Sequence, residues 1–166
     1  MKLNTIVYFF FLLQVLILSC QRGDHVWNEE SNRVTIEVRK TLNNYFKDIN
    51  AEGPLAELKY LDSSAMFSWH PPGFNGPMDY NSIKTILIQN AASGTRSVVS
   101  WDSLEIFPQS KDKAKYEGKI TVHMTSATGQ KNTVYLSEEG NLARKKDGWK
   151  LLSGKTDHWK KPPHAN

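Results

Sequence analysis

KAKYEGKITVHMTS (residues 113–126), KNTVYLSEEGNLARKK (131–146) and WKLLSGKTDHWK (149–160) follow one another with only short breaks between them. Each run alternates polar with apolar residues or is rich in Val, Ile, Thr, Tyr and Trp, which suit a pleated, half-buried surface. Ala127-Thr128-Gly129-Gln130 separates the first pair and Asp147-Gly148 the second. Asp-Gly between such runs is a strong hairpin signal, and a two-residue turn of that kind would place both residues at positive φ. The C-terminal third is therefore a β-meander, against which the N-terminal half must pack.

Working back from it, Ser97 to Phe107 reads as a further strand holding Val98, Val99, Trp101, Leu104 and Ile106, ended by Pro108. Before it, Asp79 is an N-cap candidate for a helix carrying Tyr80, Ile83, Ile86, Leu87 and Ala91, closed by Ala92-Ser93-Gly94. Ser64 to His70 is a short β-like run stopped by Pro71-Pro72-Gly73, since consecutive prolines cannot continue a ladder. From Glu29, Val34, Val38, Leu42, Tyr45, Phe46 and Ile49 share one face of a 3.6-residue helix. Ala51-Glu52-Gly53 ends that helix. Pro54 suits the first turn of a second, short helix with Leu55, Leu58 and Leu61 as its buried stripe. Three helices followed by strands predict an α+β fold, with the helices on one face of a curved, mainly antiparallel sheet.

The chain has 166 residues and one cysteine, so no internal disulfide framework exists. Cys20 follows Lys2 and an apolar run from Thr5 to Leu18, too short for a spanning helix and typical of a secretory signal. Ile17-Leu18-Ser19-Cys20 resembles the bacterial lipobox, although Leu18 is an unusual middle residue. The resemblance implies cleavage before Cys20, acylation of its thiol and a lipid-anchored protein of the cell envelope. A plain signal peptide or an N-terminal anchor helix stands as the alternative. The boundaries expected are a signal peptide over 1–19, a polar tether over 20–28, one α+β domain over 29–159 and a frayed tail over 160–166. Beyond residue 19 the chain holds 20 basic and 17 acidic residues with no block of like charge. Nucleic acid, which needs a clustered basic footprint, is not an expected partner.

The order of elements is similar to the nuclear-transport-factor-2-like superfamily, the cone-shaped fold of ketosteroid isomerases, scytalone dehydratases and SnoaL-type polyketide cyclases. Residues 39–46 (RKTLNNYF) resemble its first-helix motif, 60–65 (YLDSSA) its step into the first strand, and 143–152 (ARKKDGWKLL) its final hairpin. The resemblance implies a sheet curled around a pocket, and often a homodimer formed through the sheet. In ketosteroid isomerases a tyrosine on the first helix and a carboxylate before a proline carry the chemistry. Tyr45 falls at the tyrosine position. His70, before Pro71, falls near the carboxylate, with Trp69 competing for the slot, and Asn141 falls near the second oxyanion donor.

From the residues themselves, His70 is a candidate proton-transfer group, because a histidine titrates near neutrality. A loop histidine without a task is the plainer reading. Tyr45 is a candidate donor or a core tyrosine. Trp69, Trp101, Tyr116 and Tyr135 could line an apolar ligand cavity or form ordinary core. Glu105 and His123, on neighbouring strands, read as an exposed cross-strand pair. Gly140, inside the middle strand, suggests a bulge or a bend. No metal-ligand cluster, phosphate-cradling loop or nucleophile elbow occurs, so no cofactor is expected. Two functions follow: a tethered domain binding a small hydrophobic ligand or a protein partner, or an isomerase, dehydratase or hydrolase using His70 as base and Tyr45 as donor.

Overall fold

In the computed structural model the described residues are 3–160, with side chains described from Trp27 onward; the side chains of the signal sequence and of Cys20, and the tail beyond 160, lie outside them. Helix α1 (Leu3–Glu52) extends further toward the N-terminus than the expected start at Glu29. It is followed by a 3₁₀ turn (Pro54–Lys59), β1 (Ser68–His70), α2 (Tyr80–Ala92), β2 (Arg96–Ser110), β3 (Lys113–Thr125), β4 (Lys131–Lys145) and β5 (Gly148–His158). The strands form one sheet in the order β1-β5-β4-β3-β2. All pairings are antiparallel except β1 with β5, which is parallel. The fold is the expected α+β arrangement of helices on one face of an open, mixed sheet.

The stripe of α1 expected to be buried is buried: Val34, Val38 and Leu42 are inaccessible, and Tyr45, Phe46 and Ile49 nearly so. These residues lie on the inner face of the sheet against Ala114, Tyr116, Ile120, Leu142, Trp149 and Leu151. The intervening Lys113, Lys115, Glu117 and Lys119 are exposed on the outer face, as period-two alternation requires. Asp79 caps α2 by accepting from the Ser82 amide at 2.8 Å.

Several local expectations are corrected. The segment after Pro54 is a 3₁₀ turn that buries Ala56; of the expected stripe Leu58 and Leu61 pack on the core, while Leu55 is 43% exposed. The β-like run from Ser64 contributes only three strand residues. Strand β2 continues through Pro108, which pairs with Ala114. A proline is tolerated there because β2 is an edge strand and its missing N–H would face outward. At Asp147-Gly148 only Gly148 has positive φ (115°), so Lys146-Asp147 turn the chain and Gly148 opens the next strand. Glu105 and His123 pair with Glu117 and Val98 respectively and are not each other's partners.

Curvature is also placed differently. Gly140 pairs regularly with Tyr116 and Gly154, whereas the register slips between Asn141 and Leu142, whose partners are Ser153 and Leu151. Leu152 is thus the extra residue, and the bulge belongs to β5.

Candidate functional site

Three glycines inside strands leave room for aromatic rings on the inner face. A Cβ on Gly118 would lie 2.5 Å from the Trp101 ring, one on Gly140 2.6 Å from Tyr116, and one on Gly154 2.6 Å from Trp69. Each ring therefore lies flat across a neighbouring strand. Two of them reach a polar group two residues beyond the glycine. Tyr116 passes over Gly140 and donates its hydroxyl to Glu138 Oε1 at 2.5 Å. Trp69 passes over Gly154 and donates its indole N–H to Thr156 Oγ1 at 3.1 Å. The Thr156 hydroxyl donates in turn to Glu138 Oε2 at 3.1 Å. A continuous hydrogen-bonded chain, Trp69–Thr156–Glu138–Tyr116, thus crosses four adjacent strands on the buried face.

Glu138 is only 8% exposed and Tyr116 is inaccessible. A second carboxyl, that of the part-buried Glu57 on the 3₁₀ turn, acts electrostatically on Tyr45 and feels the charge of Glu138. Burial pushes the Glu57 carboxyl up to about 7, the charge of Glu138 adding to it and the Tyr45 hydrogen bond opposing it. Burial likewise pushes Glu138 up to about 7 against the hydrogen bonds of Tyr116 and Thr156. Both tyrosine hydroxyls are raised well above their ordinary range, first by burial and then by the nearby carboxylates. No cation is among the groups that act on either glutamate. Such carboxyls favour holding a proton.

Of the residues singled out in the sequence, Tyr45, Trp69, Trp101 and Tyr116 come together on this inner face. Trp101 stacks on Phe46 at 4.2 Å, meets Tyr116 edge-on at 6.0 Å, and its buried indole N–H has no partner among the described residues. His70 does not join them: its Nε2 bonds the Phe74 carbonyl at 2.7 Å within its own loop. Asn141 sits between the inward Gly140 and Leu142 and donates to Ser153 Oγ at 3.0 Å on the outer side. Tyr135 also faces outward, edge-on to Trp159 at 6.2 Å. The sequence reading missed Glu57 and Glu138. Glu138 was findable, because it shares the parity of Leu136, Gly140 and Leu142 on β4. Glu57 gave no such signal, since one acid in a six-residue turn ordinarily points to solvent.

A cavity of about 700 Å³ opens where the C-terminal ends of α1 and α2 approach β2. Its walls include Ile49, Gly53, Pro54, Asn90, Val98 and Met124. That volume is typical of small-molecule sites, and Ile49 belongs to the core as well. No group of His, Cys, Asp or Glu suited to a metal occurs among the described residues.

No protein-family model and no curated protein matches the chain. Solved structures do. A scytalone-dehydratase-like protein from Novosphingobium aromaticivorans superposes with a TM-score of 0.68 at 10% identity, over 81% of this chain and 91% of that one. A nuclear-transport-factor-2-like protein from Salmonella enterica gives 0.64 at 16% identity, over 81% and 97%. A ketosteroid-isomerase-like protein from Erwinia carotovora gives 0.60 at 14% identity, over 76% and 96%. At these identities the likeness establishes the fold.

Proposed function

We propose that this chain, which has the nuclear-transport-factor-2-like cone fold, is a small-molecule-binding domain held at the cell envelope by lipid on Cys20. The observation that carries the binding reading is the cavity of about 700 Å³. Its wall mixes apolar residues such as Ile49, Pro54, Val98 and Met124 with neutral polar ones such as Asn90 and Thr95, and it lies beside an inner face rich in aromatic side chains. The walls carry no acidic group, and Arg96 is their sole charge, so a neutral molecule with both apolar and hydrogen-bonding surface fits them.

The test is titration of the purified protein with a neutral naphthylamine fluorophore, followed by extraction and mass spectrometry of molecules that co-purify. Saturable binding at one site is expected, weakened roughly tenfold by Met124→Glu, which puts a charge on an apolar part of the wall. Absence of saturable binding, together with no co-purifying molecule, overturns it. Incorporation of labelled palmitate into the wild-type protein and not into Cys20→Ala checks the anchor separately.

A second reading is favoured by the carboxyl pair: proton transfer on a small carbonyl-bearing molecule. Groups titrating near neutrality suit that work. Here Glu57 and Glu138 replace His70, whose ring is engaged by its own loop. Turnover that survives Glu57→Gln and Glu138→Gln unchanged would exclude this role.

A further inference from the structure

Strand β2 is an edge of the sheet, so its backbone groups on that side need partners from outside the ladder. Antiparallel pairing turns alternate residues outward, and α1 meets two of them. The Asn50 carboxamide closes on Val99: its Nδ2 donates to the Val99 carbonyl at 2.9 Å, and the Val99 N–H donates to its Oδ1 at 2.7 Å. Arg39 donates to the Leu104 carbonyl at 3.3 Å. With the slip between Trp101 and Ser103 counted, Val99, Leu104 and Pro108 fall on one outward series, so Pro108 costs the ladder no bond. Ser97, two residues before Val99 in unbroken register, belongs to the same series. Its N–H and C=O therefore point away from β3.

The cavity of about 700 Å³ lies along this stretch of edge: Arg96, Ser97 and Val98 all line it, although successive strand residues point to opposite faces. The open stretch is one residue long. On one side Asn50 occupies Val99, and on the other the Thr95 N–H donates to Ser93 Oγ at 3.2 Å. An added peptide strand needs a run of such positions and is stopped at both ends, whereas a single amide fits between them. We propose that the cavity recognises its ligand through the Ser97 backbone, and that the ligand is a small neutral molecule with an amide presenting N–H and C=O on one side: a primary carboxamide or a lactam. Such an amide repeats on Ser97 what the Asn50 carboxamide does on Val99. An ester of the same shape has the acceptor for the Ser97 N–H and no donor for its carbonyl. This names the ligand class of the binding site proposed above and rests on that reading.

The test compares naphthamide with methyl naphthoate, each displacing the naphthylamine fluorophore from the full chain. The amide is expected to bind roughly tenfold tighter than the ester, because it makes one more hydrogen bond to the strand. Ser97→Pro deletes the N–H at an outward edge position, of the kind that Pro108 already occupies, and should weaken naphthamide roughly tenfold. Should that variant fail to fold, NMR of the wild-type chain decides: naphthamide should shift the Ser97 amide proton and slow its exchange. Equal affinity for amide and ester, a Ser97→Pro variant that binds naphthamide as the wild type does, or a Ser97 proton untouched by it overturns the amide slot. Saturable binding of the fluorophore then leaves the cavity standing. No binding of fluorophore, amide or ester removes the cavity reading and the slot with it.

Discussion

At the scale of single residues, the inner face depends on absent side chains as much as on present ones. Gly140 has ordinary strand conformation, so its role is to let the Tyr116 ring cross to Glu138. Gly140→Ala should cost about 1–3 kcal/mol through overpacking, measured by denaturant unfolding. The alanine should also displace the tyrosine hydroxyl from its acceptor. Tyr116→Phe removes only the hydroxyl and leaves the ring. It should cost about 1–3 kcal/mol by stripping a buried carboxyl of its donor, and raise the Glu138 titration further, readable by carboxyl NMR. A loss smaller than that of an exposed surface change would deny the network its structural role. The parity of Glu138 was legible in the sequence. Its partners were not, because Tyr116 and Thr156 come from other strands.

At the scale of elements, the long helix and the hairpins were readable because their signals are periodic and local. Val34, Val38 and Leu42 fall on one stripe, and the structure leaves them no accessible surface. Leu42→Ala should therefore lose about 2–5 kcal/mol. Asp79→Ala, which removes the cap of α2, should lose about 1 kcal/mol. Both are checked by urea midpoints, and the ratio matters more than either value. The errors have local causes. Pro108 reads as a stop, but an edge strand accepts it. The leucines after Pro54 suggest a longer helix, but the segment is a six-residue 3₁₀ turn in which Leu58 and Leu61 pack inward and Leu55 stays at the surface. The slip beside Leu152 has no sequence signal of its own, since it arises from how β5 must fit β4.

At the scale of the whole molecule, opposing groups set the pH of greatest stability. Glu138 titrates at about 7 when folded against an ordinary 4.5, so the folded state binds the proton more tightly. Its contribution is complete below about 4.5, declines as the pH rises to 7 and is then gone, a loss on the order of 3 kcal/mol. Glu37 is held low by the Trp149 indole and then by Arg144, against burial. Asp62 is also held low, since Lys145 and Ser64 outweigh the burial that would raise it. These two stabilise above their ordinary range and lose that contribution as acid protonates them. Stability should peak on the acid side of neutrality, between about 4.5 and 6, and fall toward pH 8. Urea midpoints across that range check it. In Glu138→Gln the fall above pH 5 should be reduced, and an unchanged slope would show that this carboxyl is not its source.

The sequence by itself determined the α+β architecture, the strand order along the chain, the buried stripe of α1 and the cap of α2. Each follows from spacing within one segment, where side-chain direction is fixed by the repeat of helix or strand. Only the tertiary structure decided which chemistry-bearing residues meet. Tyr116 was visible as a candidate, yet its acceptor is a glutamate on the neighbouring strand, twenty-two residues along the chain. His70 and Asn141 were equally visible and lie elsewhere. A buried carboxyl acquires its character from desolvation and from neighbours brought in by other strands, and neither is written in the residues beside it.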